Sequence, residues 1–213
     1  MKIEIWSDVM CPFCYIGKRK FEMALNQFDE KNSVEIVWKS FQLDPSIVSD
    51  ENKTVNQFLA ERKGWTLEYA QQMNDNVSKI ANEVGLEFNL AKAIIANSFD
   101  AHRLSHLAKK YNLQNEAEEQ LFKAYFTEGK NTADHNTLIQ LGVEIGLDAN
   151  EIKLMLQSSD YTEAVRIDSF EAQQIGVSGV PFFLFNDKYT ISGAQDSSVF
   201  LNTLQTISKE LVG

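Results

Sequence analysis

The chain has 213 residues, enough to bury a full hydrophobic core without disulfide bonds, and its composition is that of an ordinary globular protein. Its formal net charge of -10 argues against nucleic acid or an anionic membrane as a partner, because an acidic surface attracts neither. The sequence contains no apolar run of membrane-spanning length and no cationic leader after Met1, so we expect a cytoplasmic protein unless a signal peptide has been removed.

The first forty residues predict a strand, a helix and a second strand. Residues 2–7 and 34–41 alternate in hydrophobicity, whereas residues 12–30 repeat their apolar side chains at helical spacing. We expect the two strands to be parallel and joined by a right-handed crossover. The segment between the first strand and the helix then lies at the carboxyl end of a strand, where open α/β sheets usually place their functional sites.

That segment contains both cysteines of the protein, Cys11 and Cys14, with Pro12 and Phe13 between them. Pro12 suits the first turn of a helix, which places Cys11 at or near the N-cap, beside backbone N–H groups that favour a thiolate. We therefore interpret Cys11 as the solvent-facing nucleophile. Cys14, one turn further along, is interpreted as the more buried thiol that resolves a mixed disulfide. In a reducing compartment such a pair is expected to be catalytic and not structural.

Two plainer interpretations of the pair stay open at this point. A zinc site needs four ligands, and without further cysteines the scattered histidines would have to complete it, so we predict no metal. Two buried, inert thiols are the other alternative, because free cysteine is often buried. The position of the pair at a helix start, with a proline inside it, argues against both.

The middle of the chain is predicted to be helical. From about residue 54 the apolar side chains repeat at helical spacing for more than a hundred residues, with Asp148 or Asn150 as the N-cap of a short helix near the end. This block is expected to be an all-helical insertion, which we place at residues 51–159.

The last part of the chain returns to mixed structure. It predicts a helix over 161–175, a strand opened by Pro181, a tight turn at Asn186 and Asp187 with a return strand, and a closing helix over 196–211 that turns Leu211 inward. This order of strands and helices predicts an α/β protein with a thioredoxin-like fold. Residues 1–50 and 160–213 form the thioredoxin-like domain, and the all-helical domain is inserted after its second strand.

Several motifs at these positions resemble one family. The chain is similar to the DsbA-like thioredoxin superfamily, and more closely to its FrnE-like branch, which is related to 2-hydroxychromene-2-carboxylate isomerases and kappa-class glutathione transferases. The segments that carry the resemblance are Ser7–Gly17, Asn97–Leu104, Leu121–Phe126, Gly176–Phe183 and Ser192–Gln195.

The resemblance implies a cis peptide bond between Val180 and Pro181, packed beside the cysteines, with the backbone of Val180 presented to an extended substrate. The glutathione-dependent branches typically carry serine at the position of Cys11, so the cysteine here favours a dithiol oxidoreductase. DsbA has histidine at the position of Phe13. Because phenylalanine supplies neither charge nor a strong donor, we expect a less oxidising pair than that of DsbA.

Two further residues before the cysteines are candidates for supporting roles. Asp8 either tunes the thiols as a buried carboxylate or only starts the helix. Met10, together with Phe13, Tyr15 and Val180, is expected to form an apolar rim that suits unfolded polypeptide, or else to pack against the helical insertion.

His102 and His106 lie four residues apart and therefore on one helical face, a spacing that can bind a metal. No carboxylate accompanies them at matching spacing, so we expect a solvated or interdomain face. Because His102 belongs to a segment that carries the resemblance, it is also a candidate for the cleft between the domains.

These features predict an enzyme that exchanges thiols and disulfides through Cys11 and Cys14, acting on protein or small-molecule disulfides. We expect no bound cofactor, glutathione as a candidate co-substrate, and no nucleic acid or membrane partner. Monomer and homodimer are both left open. Two alternatives are kept: a glutathione-dependent isomerase or transferase, and a non-catalytic, chaperone-like protein that binds polypeptide.

Overall fold

The computed structural model describes residues 1–212, with the side chains of Glu51, Leu211 and Val212 outside the description. The inward orientation predicted for Leu211 therefore falls outside the described side chains. The chain divides into two compact units. The first unit comprises Met1–Leu43 and the chain from Arg166 onward, and the second comprises Asp44–Val165. These divisions fall a few residues from the domain boundaries expected from the sequence, and the later one lies within a helix.

The elements of the first unit follow one another in the predicted order, whereas two short strands lie in the block that was predicted to be all-helical. In chain order they are β1 (Lys2–Ser7), α1 (Pro12–Asn26), β2 (Glu35–Ser40), β3 (Asp50–Thr54), α2 (Val55–Lys63), α3 (Leu67–Glu83), β4 (Ile94–Ile95), α4 (Phe99–Lys110), α5 (Gln114–Phe126), α6 (His135–Glu144), α7 (Ala149–Gln157), α8 (Thr162–Gln174), β5 (Phe182–Phe185), β6 (Tyr189–Ser192) and α9 (Ser197–Val212).

The first unit is built on a four-stranded sheet with the order β2-β1-β5-β6. The strands β1 and β2 are parallel, as predicted, whereas β5 runs antiparallel to both of its neighbours, β1 and β6. The turn between β5 and β6 has positive φ angles at Asn186 and Asp187, 47° and 55°, which confirms the predicted tight hairpin. The strand that leads to the cysteines is thus an inner strand of the sheet.

Alternating residues of the inner strands face two different layers. On one face, the ring of Phe21 from α1 packs against Phe183 of β5 and Phe200 of α9, with ring centroids 5.7 Å apart in both pairs. On the other face, Trp6 packs with Ala172 and Val177, near the end of α8. This burial on both faces fixes β1, and therefore fixes where the cysteine segment begins.

A charged cluster lies on the α8 side of the sheet. The Lys39 ammonium is 2.7 Å from Glu171, 3.1 Å from Asp168 and 3.6 Å from Glu4. Burial disfavours the lysine charge, but the hydrogen bonds and charges of Glu171 and Asp168 outweigh it and raise the pKa of Lys39 to about 12. In addition, Trp6 Nε1 donates to the backbone oxygen of Asp168 at 2.9 Å. These contacts connect α8 to β1 and β2.

The second unit is mainly helical. It also contains a small sheet, which was not predicted, because the sequence suggested an all-helical insertion. Here β3 pairs antiparallel with β4. The sequence gives no sign of this pairing, because Asp50–Thr54 is wholly polar and has no alternation to detect, and β4 has only two residues. Asp148 caps α7 by accepting from Glu151 N at 2.9 Å, which confirms one of the two predicted caps.

A buried arginine joins the helices of this unit. Arg103 on α4 donates through Nη1 to Asp100 at 2.7 Å, through Nη2 to the backbone oxygens of Met155 and Ser158 at 2.5 and 2.7 Å, and through Nε to the backbone oxygen of Asp160 at 2.8 Å. Its guanidinium therefore satisfies carbonyl groups at and after the end of α7.

Across residues 1–212, no helix has both the length and the apolar character needed to span a membrane.

Candidate active site

The cysteine segment begins in a turn that starts α1. Cys11 N donates to the backbone oxygen of Asp8 at 2.9 Å, and Cys11 is the N-cap, with φ -89° and ψ 111°. Pro12 is the first helical residue, where its missing N–H leaves no hydrogen bond unmade. The placement of Cys11 at the positive end of the helix dipole is therefore as the sequence indicated.

Both cysteines are free thiols, and both are buried. Cys11 is 5% exposed and Cys14 is 1% exposed, so Cys11 is the more exposed residue of the pair but is not the solvent-facing one that the sequence suggested. The cause is the loop next to it, because Cys11 Sγ donates to the backbone oxygen of Val180 at 3.5 Å.

The surroundings of Cys14 shift its pKa. Burial, followed by the hydrogen bond and the charge of Cys11, raises the pKa of Cys14 well above its ordinary value. The Ser7 side chain and the backbone N–H of Asp8 act in the opposite direction and lower the pKa of Cys14. Cys14 therefore stays protonated near neutral pH, which suits a thiol that reacts second.

The loop before β5 completes the surroundings of Cys11. The peptide bond between Val180 and Pro181 is cis, and the Pro181 carbonyl accepts from Gly193 N at 2.8 Å. A Cβ at Gly17 would lie 2.9 Å from Pro181 Cγ and 3.5 Å from the Cα and Cβ of Ala194. Because Gly17 has no side chain, α1 approaches this loop closely, one turn beyond Cys14.

The residues before the cysteines are held by backbone hydrogen bonds. The carboxylate of Asp8, 2% exposed, accepts from Met10 N at 3.2 Å and from Leu43 N at 2.7 Å. This geometry gives Asp8 a part in shaping the turn before α1. Met10 and Val180 are half-buried and Phe13 is exposed, whereas Tyr15 is buried and so contributes nothing to an exposed apolar rim.

His102 and His106 lie on α4 in the second unit, and neither is solvated. His102 is 2% and His106 9% exposed, and the ring of His106 stacks on that of Tyr161 with centroids 6.3 Å apart. Of the two alternatives expected from the sequence, the solvated face is wrong, because every residue from Ala101 to Ala108 is buried. The interdomain face stays a prediction. The part of His102 in the site stays a prediction. No group of three or more residues suited to holding a metal occurs in the described part of the chain.

Two residues of the site escaped sequence reasoning. The Ser7 side chain lowers the pKa of Cys14, and the lack of a side chain at Gly17 lets α1 approach the proline loop closely. A glycine inside a predicted helix is a usable signal of close approach, because it costs about 1 kcal/mol relative to alanine. A serine at the end of a strand carries no comparable signal.

Comparisons with known proteins agree with this fold. The family model described as the DsbA-like thioredoxin domain matches residues 2–205. The uncharacterized protein YwbO of Bacillus subtilis is 30% identical over 210 residues, which is 98% of each chain. The crystal structure of a probable DsbA oxidoreductase from Streptomyces coelicolor is 37% identical, with a TM-score of 0.93 over 99% of this chain and 91% of that one.

More distant structures share the fold. A 2-hydroxychromene-2-carboxylate isomerase is 15% identical, with a TM-score of 0.69 over 100% of this chain and 96% of that one. The cytosolic disulfide reductase DsbM of Pseudomonas aeruginosa, in a structure with glutathione, is 14% identical, with a TM-score of 0.67 over 100% and 99%. The predicted α/β thioredoxin-like fold is thus confirmed, and the chain belongs to the DsbA-like thioredoxin domain family.

Proposed function

We propose that the protein is a thiol–disulfide oxidoreductase that cycles Cys11 and Cys14 between a dithiol and a disulfide. The observation that carries the proposal is the asymmetry of the pair. Cys11 is the N-cap residue of α1 and the more exposed residue of the pair, whereas Cys14 is more deeply buried and has a raised pKa. A nucleophile and a resolving thiol need these two environments.

The reaction has two exchange steps. The thiolate of Cys11 attacks one sulfur of a substrate disulfide, forms a mixed disulfide and releases the other substrate sulfur as a thiolate. Cys14 then loses its proton and attacks the sulfur of Cys11, which forms the Cys11–Cys14 disulfide and releases the second substrate thiolate. Two electrons pass to the substrate, and the reverse sequence oxidises a substrate dithiol.

The neighbouring backbone supports binding of an extended substrate. The carbonyl oxygen of Val180 lies 3.5 Å from Cys11 Sγ, so a segment attached to Cys11 would run alongside the proline loop. Exposed Phe13 and half-buried Met10 give this region apolar surface, which suits protein disulfides. The structure of DsbM with glutathione makes glutathione a second candidate substrate.

The proposal includes two expectations about where and how strongly the pair acts. We place it in the cytoplasm, in keeping with the cytosolic origin of DsbM. Phe13 offers Cys11 neither a charge nor a strong hydrogen-bond donor, so the pair should be less oxidising than that of DsbA. Equilibration with glutathione buffers of known ratio, followed by quantification of free thiols, measures this potential.

Cysteine variants test the proposed reaction. With oxidised glutathione and a disulfide-bonded peptide as substrates, Cys14→Ser should accumulate mixed disulfides on Cys11, detected by mass spectrometry. Cys11→Ser should lose turnover, and the double serine variant is the matched control for background exchange. Full activity in Cys11→Ser would refute the proposal.

The same variants separate the alternatives. A glutathione-dependent isomerase would bind glutathione tightly and keep its turnover without Cys14. A chaperone-like protein would suppress aggregation equally well in the double serine variant.

A further inference from the structure

Lys20 connects α1 to the loop of residues 193–196, which joins β6 to α9. Its ammonium donates to the backbone oxygen of Ala194 at 3.3 Å and lies 3.2 Å from the Asp196 carboxylate. The Asp196 side chain is 83% exposed, so solvent screens its charge, whereas the lysine side chain is only 20% exposed. We therefore attribute the connection mainly to the bond with the Ala194 carbonyl.

The 193–196 loop in turn holds the proline loop, which contains Val180 and Pro181. Gly193 N donates to the Pro181 oxygen at 2.8 Å, just beyond the last residue pair of the β5–β6 ladder. Gly193 has a φ of 78°, a conformation that favours glycine. A displacement of the 193–196 loop would therefore be passed to the proline loop through this bond.

Both ends of this connection lie on α1. Cys11, at the start of the helix, donates through Sγ to the Val180 oxygen at 3.5 Å, and Lys20 holds Ala194 from the other side. Between them, a Cβ at Gly17 would lie 3.5 Å from Ala194, so the helix and the backbone around Ala194 are close there. Nine residues separate Lys20 from Cys11, about 13.5 Å along a helix. Lys20 therefore acts on the sulfur through the two loops and not by contact.

We propose that Lys20, through the Ala194 carbonyl, is a positioning residue that fixes the proline loop beside Cys11 and thereby favours extended peptide disulfides over small ones. The inference rests on the function proposed above. An extended segment that becomes attached to Cys11 runs alongside Val180, so its approach depends on where the proline loop lies. A small disulfide needs only the sulfur. The chemistry remains that of the first exchange step, in which the Cys11 thiolate bonds to one substrate sulfur and the other leaves with the electron pair.

Single-turnover rates with two substrates test the inference. The reduced protein is mixed with two short peptides joined by a disulfide, one carrying a fluorophore and the other a quencher, and fluorescence rises when one peptide leaves. In parallel it is mixed with dithiodipyridine, a small uncharged disulfide that releases an absorbing thiopyridone. The ratio of the two second-order rate constants measures the preference for an extended segment.

Removing the ammonium should lower this ratio. Lys20→Met should reduce the peptide rate about tenfold, the loss expected when a reacting geometry shifts by about 0.5 Å, and should change the dithiodipyridine rate by less than about twofold. Lys20→Arg keeps a cation with N–H donors and should retain the wild-type ratio. Lys20→Gln, which is uncharged and shorter, carries the same expectation as Lys20→Met and takes its place if that variant does not fold.

Two control variants remove nearby charges. Lys188→Met breaks an ion pair with Glu210 at the opposite end of the β5–β6 hairpin and should leave both rates unchanged. Asp196→Asn removes the exposed carboxylate but keeps the Ala194 carbonyl, so the peptide rate should fall by less than about twofold.

Several results would overturn the inference. A Lys20→Met peptide rate within about twofold of the wild type would do so, as would a parallel fall of both rates, which indicates general damage to the site. A Lys20→Arg ratio as low as that of Lys20→Met, or an equal loss in either control variant, would also contradict it. Failure of the proposed function would look different, because the reduced wild type would then react with neither substrate faster than the double serine variant.

Discussion

Gly17→Ala places one methyl group between α1 and the proline loop. The new Cβ would lie 2.9 Å from Pro181 Cγ, whereas carbon atoms pack best at about 3.5–4.0 Å. The ring or the helix must therefore move by roughly 0.5–1 Å. The carbonyl of Val180, now 3.5 Å from Cys11 Sγ, belongs to the residue before Pro181 and would move with the ring.

Two opposing terms set the expected change in stability. Overpacking costs about 1–3 kcal/mol. Alanine in place of glycine inside a helix returns about 1 kcal/mol. The net loss is then about 0–2 kcal/mol, too small to unfold the protein. The effect on activity should be larger. A displacement of about 1 Å in a reacting geometry lowers the reaction rate by up to about 100-fold, and about half that displacement lowers it roughly tenfold.

The assay pairs two measurements on the same variant. Turnover with a disulfide-bonded peptide should fall about tenfold, while urea unfolding should show the modest loss of stability. Gly179→Ala is the matched control from the same loop, since a Cβ there meets no atom within 4 Å. If Gly17→Ala kept wild-type turnover and stability, the close approach of α1 to the loop would have no role in positioning the site.

Three further variants address charges buried around the site and in the second unit. Lys39→Met leaves its carboxylate partners uncompensated and should cost about 3–5 kcal/mol near neutral pH. Because folding raises the pKa of Lys39 from 10.5 to about 12, the stability due to its charge is complete below pH 10.5 and is lost as the pH rises through about 12. Urea unfolding should show the difference in stability between wild type and variant shrinking over this range, and a constant difference would contradict this. The lysine of Arg103→Lys cannot form the forked contacts with the backbone at the end of α7, so the free energy of unfolding should fall by about 2–4 kcal/mol in urea. An unchanged midpoint of unfolding would mean that those contacts do not stabilise the protein. Asp8→Asn loses one acceptor for a backbone N–H, so stability should fall by about 1–3 kcal/mol. The pH profile of thiol–disulfide exchange should stay unchanged. An altered profile would instead mean that the Asp8 carboxylate tunes the thiols.

The parts of the fold that the sequence predicts well are those governed by local patterns. Alternation marked β1 and β2, and the Asn186–Asp187 pair marked a turn that needs positive φ at both residues. Pro12 marked the start of α1, and with it the position of Cys11. These signals come from neighbouring residues, so a single sequence is enough to read them.

The parts that the sequence misses depend on contacts between distant segments. The close approach of Gly17 to Pro181 joins residues that are far apart in the sequence. The ion pairs of Lys39 with Asp168 and Glu171 of α8 do the same. The burial of His102 and His106 was likewise not predicted, because a polar residue on a helix is normally taken to be exposed. Polar β3 has no pattern to recognise at all.

The hydrogen bond between Cys11 and Val180 spans 169 residues of sequence, which has a consequence for the newly made chain. Ribosomes add roughly 5–20 residues per second, so both sulfurs emerge on the order of 10–30 s before the loop that covers Cys11. During that interval β1 has β2 available but not β5, its other neighbour in the sheet. A nascent chain therefore carries both cysteines without the loop that contacts Cys11 until most of the protein has been made.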